Sequence, residues 1–192
     1  MPRVAPPTFE ESVQELAAVV SASAQLGPAV RAAGRDLVAC LRRGRKILTC
    51  GNGGSAADAL HLAQELVGCY EAERRGLPAL CLSGDGTALT CIGNDYGFEE
   101  IFARGVEAFG QKGDVLVAFS TSGNSANILA ALKRARRLGV KTMLLSGKDG
   151  GKARRLADHA LVVPSARVAR IQEVHTLIVH QFLEMIDAER WR

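Results

Sequence analysis

Five short apolar runs, at 47–50, 79–82, 115–119, 142–145 and 160–163, dominate the chain after residue 46. They are too short for helices. They are also too continuously apolar for a sheet with one face in water, so they read as strands buried on both faces. Helical periodicity lies between or after them, at 56–70, 98–109, 127–138 and a long final stretch 168–186. Strands alternating with helices specify an α/β fold built on a doubly wound, five-stranded parallel sheet flanked by helices. Such sheets bind ligands at the carboxyl ends of the strands, in the loops that lead to helices.

The first 45 residues carry no strand signal. Stretches 9–26 and 30–41 place Val13, Leu16, Val19 and Val20, then Val30, Leu37 and Leu41, at helical spacing. Gly27-Pro28 divides them as a helix end followed by a helix start. The 192 residues thus read as one domain, 1–192, with an N-terminal helical segment (1–45) and an α/β core (46–192).

Composition excludes several classes. With 47% hydrophobic and 23% charged residues the chain is neither disordered nor a disulfide scaffold. No run approaches the roughly 18 apolar residues of a membrane helix, and the opening Met1–Pro7, followed by Glu10 and Glu11, lacks the apolar core of a signal peptide. A net charge of +4 suits a small anionic substrate and is too weak to argue for nucleic acid. The basic runs Arg42, Arg43, Arg45, Lys46 and Lys133, Arg134, Arg136, Arg137 read as solvated helix ends and faces. Five cysteines without a C-x-x-C pair, with Cys50, Cys81 and Cys91 in apolar runs, read as reduced, mostly buried thiols of a cytoplasmic protein.

Two strand-to-helix loops stand out. Gly51-Asn52-Gly53-Gly54-Ser55 follows the first strand; its glycines permit close backbone approach, Ser55 is placed to cap the next helix, and a helix N-terminus favours an anion. Ser120-Thr121-Ser122-Gly123-Asn124-Ser125 follows the third strand. Its four hydroxyls open a helix and make a phosphate cradle without a lysine. Each loop alone could be a plain turn. Two in one small sheet favour a phosphorylated ligand, and the absence of an acidic ribose-binding residue after the first loop argues against a nucleotide.

Gly51–Ala59, Ile92-Gly93-Asn94-Asp95-Tyr96-Gly97-Phe98, Ser120–Ser125 and Arg170-Ile171-Gln172-Glu173-Val174-His175, taken in order, resemble the sugar isomerase (SIS) domain family, and within it the phosphoheptose isomerases. The resemblance covers nearly the whole chain. It implies isomerisation of D-sedoheptulose 7-phosphate to D-glycero-D-manno-heptose 7-phosphate, the first step toward ADP- or GDP-heptose for bacterial surface glycans. It implies a homotetramer packed in part through the N-terminal helices, with sites at subunit interfaces, and no nucleic-acid or membrane partner. It also implies one zinc ion per subunit held by His61, Glu65, Gln172 and His180.

Physical chemistry is compatible with that set. His61 and Glu65 are i and i+4 on one helix face, Gln172 and His180 share a border of the last helix, and two imidazoles with a carboxylate suit zinc. By resemblance, Glu65 is the base and His180 its acid–base partner in an enediol(ate) mechanism, with zinc polarising the carbonyl. Ser120, Thr121, Ser122 and Ser125 hold the 7-phosphate. Asn52, Gly53, Gly54, Ser55, Asn94, Asp95 and Gln172 complete the substrate-binding set. His159 reads as structural, and His175 as buried behind the site. Cys69, Ala169 and the Ala56-Ala57 pair depart from well-known members and bear on fine substrate selectivity. The alternatives are a non-catalytic SIS protein that binds the bacterial replication initiator, another sugar-phosphate isomerase, or a sugar-phosphate sensor; Glu65 and His180 favour the enzyme over the first.

Overall fold

In the computed structural model, which describes residues 6–191, all five expected strands form. They are β1 (Ile47–Gly51), β2 (Ala79–Cys81), β3 (Val115–Ser120), β4 (Lys141–Ser146) and β5 (His159–Val162). Every pairing is parallel, and the spatial order is β2-β1-β3-β4-β5. The order reverses between β1 and β3, which makes the crevice beyond their carboxyl ends the topological switch point. Both small-residue loops open there.

The described residues form seven α-helices: α1 (Phe9–Ser23), α2 (Gly27–Arg42), α3 (Gly54–Val67), α4 (Gly86–Tyr96), α5 (Ile101–Phe109), α6 (Ala126–Arg137) and α7 (Val168–Asp187). One face of the sheet packs α2, α3 and α7 around Leu37, Leu62, Phe119, Ile171 and Phe182. The other packs α5 and α6 around Leu48, Phe102, Leu116, Ile128 and Leu144. α1 lies outside, tied to α7 where Arg170 Nη1 donates to the Ser12 carbonyl at 2.8 Å. No described helix is long and apolar enough to cross a membrane.

Several boundaries differ from the sequence expectation. The first helix ends at Ser23 and tightens into a 3-10 turn at Ala24–Leu26, and Gly27 is itself helical, with Pro28 in the first turn. α1 opens on a capping box between Thr8 and Glu11. α4 went unread because Gly86-Thr87-Ala88-Leu89-Thr90 is a weak helix former; Asp85 starts it by accepting the Thr87 and Ala88 N–H groups at 2.9 and 3.0 Å. The stretch from 98 begins as a 3-10 turn before α5. α3 stops at Val67, three residues early.

Some polar readings change too. Lys46 is no solvated end of a basic run: its Nζ meets fully buried Asp114 at 2.6 Å, and Asp114 also accepts the Lys46 and Gln111 N–H groups. Arg42 pairs with Glu189 and Arg134 with Glu107. All five cysteines are free; Cys40, Cys50 and Cys81 are buried, whereas Cys91, expected inside, is exposed on α4. Burial pushes the Cys40 thiol up to about 11, so it is inert.

Candidate functional site

The Gly-rich loop turns sharply out of β1. A side chain at Gly51 would fall onto the Ser55 carbonyl, and Gly53 sits at φ +55, so both positions need glycine. Gly53 caps α3 without any side-chain bond, and Ser55, in the first helical turn, is buried. Ser55 is therefore not the cap; the helix starts two residues earlier than that role requires.

Asn52 makes a reciprocal amide pair with Asn127. Each Nδ2 donates to the other's Oδ1 at 2.9 Å, and Asn127 is 2% exposed. This pair stitches the Gly-rich loop to the first turn of α6, directly behind the Ser-rich loop. Sequence reading missed Asn127, whose partner is 75 positions away.

In the Ser-rich loop, Ser120 Oγ accepts the Gly123 N–H at 3.2 Å and Ser122 Oγ accepts the Asn124 N–H at 3.2 Å. Hydroxyls that accept from the loop backbone keep their own protons for an oxyanion. Thr121, Ser122 and Ser125 are half-exposed, and the α6 N-terminus lies behind them. The cradle is braced by the 3-10 turn Lys152–Leu156 that follows β4: Asn124 Oδ1 accepts the Lys152 N–H at 3.0 Å.

α3 and α7 run side by side at matched heights. Gln172 lies against Gly54, where an added Cβ would come within 2.5 Å of its Nε2. One turn on, Thr176 Oγ1 lies 3.3 Å from Asp58 Oδ1. A turn further, the His180 and His61 rings meet edge-on with centroids 5.2 Å apart. Glu65 Oε1 is 3.6 Å from His61 Nε2 and accepts from Gln64 at 2.6 Å. Tyr70, from the segment after α3, stacks on His180 with centroids 5.5 Å apart.

The structure thus brings His61, Glu65 and His180 together. Gln172 stands two turns away, about 12 Å along α7 by helix rise. Asn94 and Asp95, exposed on α4, bond to one another at 2.8 Å and not to either loop. Among the described residues no three His, Cys, Asp or Glu side chains stand in a ready-made metal arrangement. The donor chemistry of two imidazoles and a carboxylate on facing helix turns nevertheless fits zinc.

Between Gln172 and His180 the helix contact holds a buried polar pair. His175 is fully buried, and its Nε2 donates to the Ser146 carbonyl at 3.2 Å. Its Nδ1 and Asp58 Oδ2 have no hydrogen-bond partner and face each other at 4.0 Å. Burial pulls the imidazole down to about 4. Burial also raises the Asp58 carboxyl to about 6, against the Thr176 hydrogen bond. His159, as expected, is structural: its Nε2 meets Asp36 at 2.7 Å.

Known proteins resemble this chain in sequence and fold. The SIS domain family profile matches residues 8–147. A Campylobacter jejuni protein named phosphoheptose isomerase 1 is 52% identical over 178 residues, covering 93% of this chain and 96% of its own. A Helicobacter pylori phosphoheptose isomerase is 57% identical over 151 residues, 79% of each chain. The solved phosphoheptose isomerase of Neisseria gonorrhoeae superposes with a TM-score of 0.88 at 42% identity, over 95% of this chain and 100% of its own. That of Francisella tularensis gives 0.83 at 39%, over 93% and 99%. With a family profile spanning most of its length and relatives of this name above half identity, the chain belongs to the SIS domain family and, within it, to the phosphoheptose isomerases.

Proposed function

We propose that this protein is an aldose–ketose isomerase that converts D-sedoheptulose 7-phosphate to D-glycero-D-manno-heptose 7-phosphate. The observation that carries the reading is the meeting of Glu65, His61 and His180 on facing turns of α3 and α7, in a chain 52% identical to a protein named phosphoheptose isomerase 1. The initiator-binding alternative gains nothing from that arrangement.

The chemistry follows from the groups. Glu65 removes the proton from the carbon next to the carbonyl and returns it to the neighbouring carbon; the intermediate is a cis-enediol(ate). Its Oε1 accepts from Gln64, which leaves Oε2 to carry the proton. His180 moves the second proton between the carbonyl and hydroxyl oxygens. Ser120, Thr121, Ser122 and Ser125 bind the 7-phosphate, and that remote binding energy orients the reacting end. Asn52, Gly53, Gly54, Ser55, Asn94, Asp95 and Gln172 bind the sugar chain. His61, Glu65 and His180, with Gln172, would hold one zinc ion, whose chemistry is to polarise the carbonyl and stabilise the enediolate.

The spread of the site in one chain supports assembly as a homotetramer with sites completed at subunit interfaces. The five free cysteines support a cytoplasmic enzyme, and the product accords with the first step of ADP- or GDP-heptose formation for surface glycans. The test is Glu65→Gln. It should abolish turnover while sugar-phosphate binding, measured calorimetrically, survives; near-normal kcat in this variant contradicts the base assignment.

A further inference from the structure

α3 ends where its last carbonyls lose their helical partners. Gly68 satisfies one, donating its N–H to the Gln64 carbonyl at 2.8 Å. Two others are taken by a side chain from further along. Arg74 Nη2 donates to the Glu65 carbonyl at 2.8 Å and Nη1 to the Leu66 carbonyl at 3.0 Å. The same guanidinium donates through Nε to Asp187 Oδ1 at 2.7 Å. Both side chains are nearly buried, 3% and 8% exposed.

Asp187, the last residue of α7, completes the knot from the other side. Its Oδ2 accepts the Glu71 and Ala72 N–H groups, each at 3.1 Å. Burial pushes this carboxyl up, but Arg74 and the two N–H groups outweigh it and hold it below the ordinary range. One ion pair therefore fixes the end of α3, the end of α7 and the backbone immediately after Tyr70. Tyr70 is the residue whose ring lies over His180, 25° from parallel.

We propose that Arg74 and Asp187 are positioning residues: their ion pair clamps the segment after α3 so that Tyr70 stacks on His180 and fixes the imidazole's orientation against His61. A charge pair this buried is costly to desolvate and is a poor choice for stability alone. Its geometry suits orientation, because a planar guanidinium bonded to Asp187 and to the Glu65, Leu66, Gly68 and Arg75 carbonyls leaves the segment little freedom. The link to turnover rests on the isomerase reading; the clamp itself does not.

The experiment uses the full-length, metal-free protein and reads the His180 ring-proton resonances by NMR, assigned with His180→Gln. Tyr70→Leu supplies the position of an unstacked His180. The clamp predicts that Arg74→Met and Asp187→Asn both move the His180 signals toward that position, while Val106→Ala, on the opposite face of the sheet, leaves them in place. With zinc supplied and sedoheptulose 7-phosphate as substrate, kcat should fall about tenfold or more with KM changed less than about threefold. The Arg74→Met/Tyr70→Leu double variant should be no slower than Tyr70→Leu. His180 signals at the wild-type position in the folded variants would overturn the clamp. If Arg74→Met fails to fold, Asp187→Asn decides alone. A wild-type protein without isomerase activity would sink the isomerase reading, and the NMR result would still judge the clamp.

Discussion

His180 touches two rings: it meets His61 edge-on with centroids 5.2 Å apart and stacks on Tyr70 at 5.5 Å. The expected outcome of His180→Gln is a kcat loss of about 10²–10⁴-fold, the range for removing a general acid–base group. The side chain is half-buried, so the melting temperature should move only a few degrees. Steady-state kinetics beside a thermal melt check this; a large loss of stability with normal kcat would make His180 a packing residue.

The amide pair of Asn52 and Asn127 should matter to both stability and binding. Asn127→Leu strands the Asn52 amide and should cost about 1–3 kcal/mol. Because it loosens the loop joint behind the phosphate cradle, KM should rise as well. Urea unfolding and a substrate titration read the two effects. A variant with lower stability and unaltered KM would separate the pair from the site.

Gly54→Ala separates site from scaffold. The new Cβ would meet the Gln172 amide, the far end of a flexible side chain, which can swing away. The fold should therefore lose little stability, while displacement of Gln172 weakens sugar binding. Equal affinity for the sugar phosphate in wild type and variant would remove Gln172 from the substrate set.

Asp58 and His175 predict an unusual pH dependence. Asp58 is raised from 3.8 to about 6, so its contribution to stability is present at low pH and is lost as pH rises through about 6. His175 is lowered from 6.5 to about 4, so its contribution is present above 6.5 and is lost as pH falls toward 4. The two slopes oppose each other between about 4 and 6.5. Asp58→Asn removes one of them, and stability should then climb more steeply with pH than in wild type. Urea midpoints across this window test it; parallel curves for the two proteins would refute the pairing.

The strands were legible because each is a continuous apolar run, and the two loops because small residues and hydroxyls directly after a strand have a mechanical reason. What escaped had no local signature. α4 depends on one cap, Asp85, rather than on propensity. Asn127, Tyr70, Asp58 and Arg74 acquire meaning only through partners distant in the chain, such as Arg74 and Asp187, 113 positions apart. His61, Glu65 and His180 came from resemblance to a family; periodicity places the first two on one face but does not bring His180 to them.

Isomerase activity is read by adding sedoheptulose 7-phosphate to the purified protein and following the sugar by NMR. Heptose 7-phosphate should appear in wild type and not in Glu65→Gln, and a chelator should lower the rate until zinc is restored. A wild-type protein that binds the sugar phosphate and leaves it unchanged, with zinc supplied, would contradict the isomerase reading.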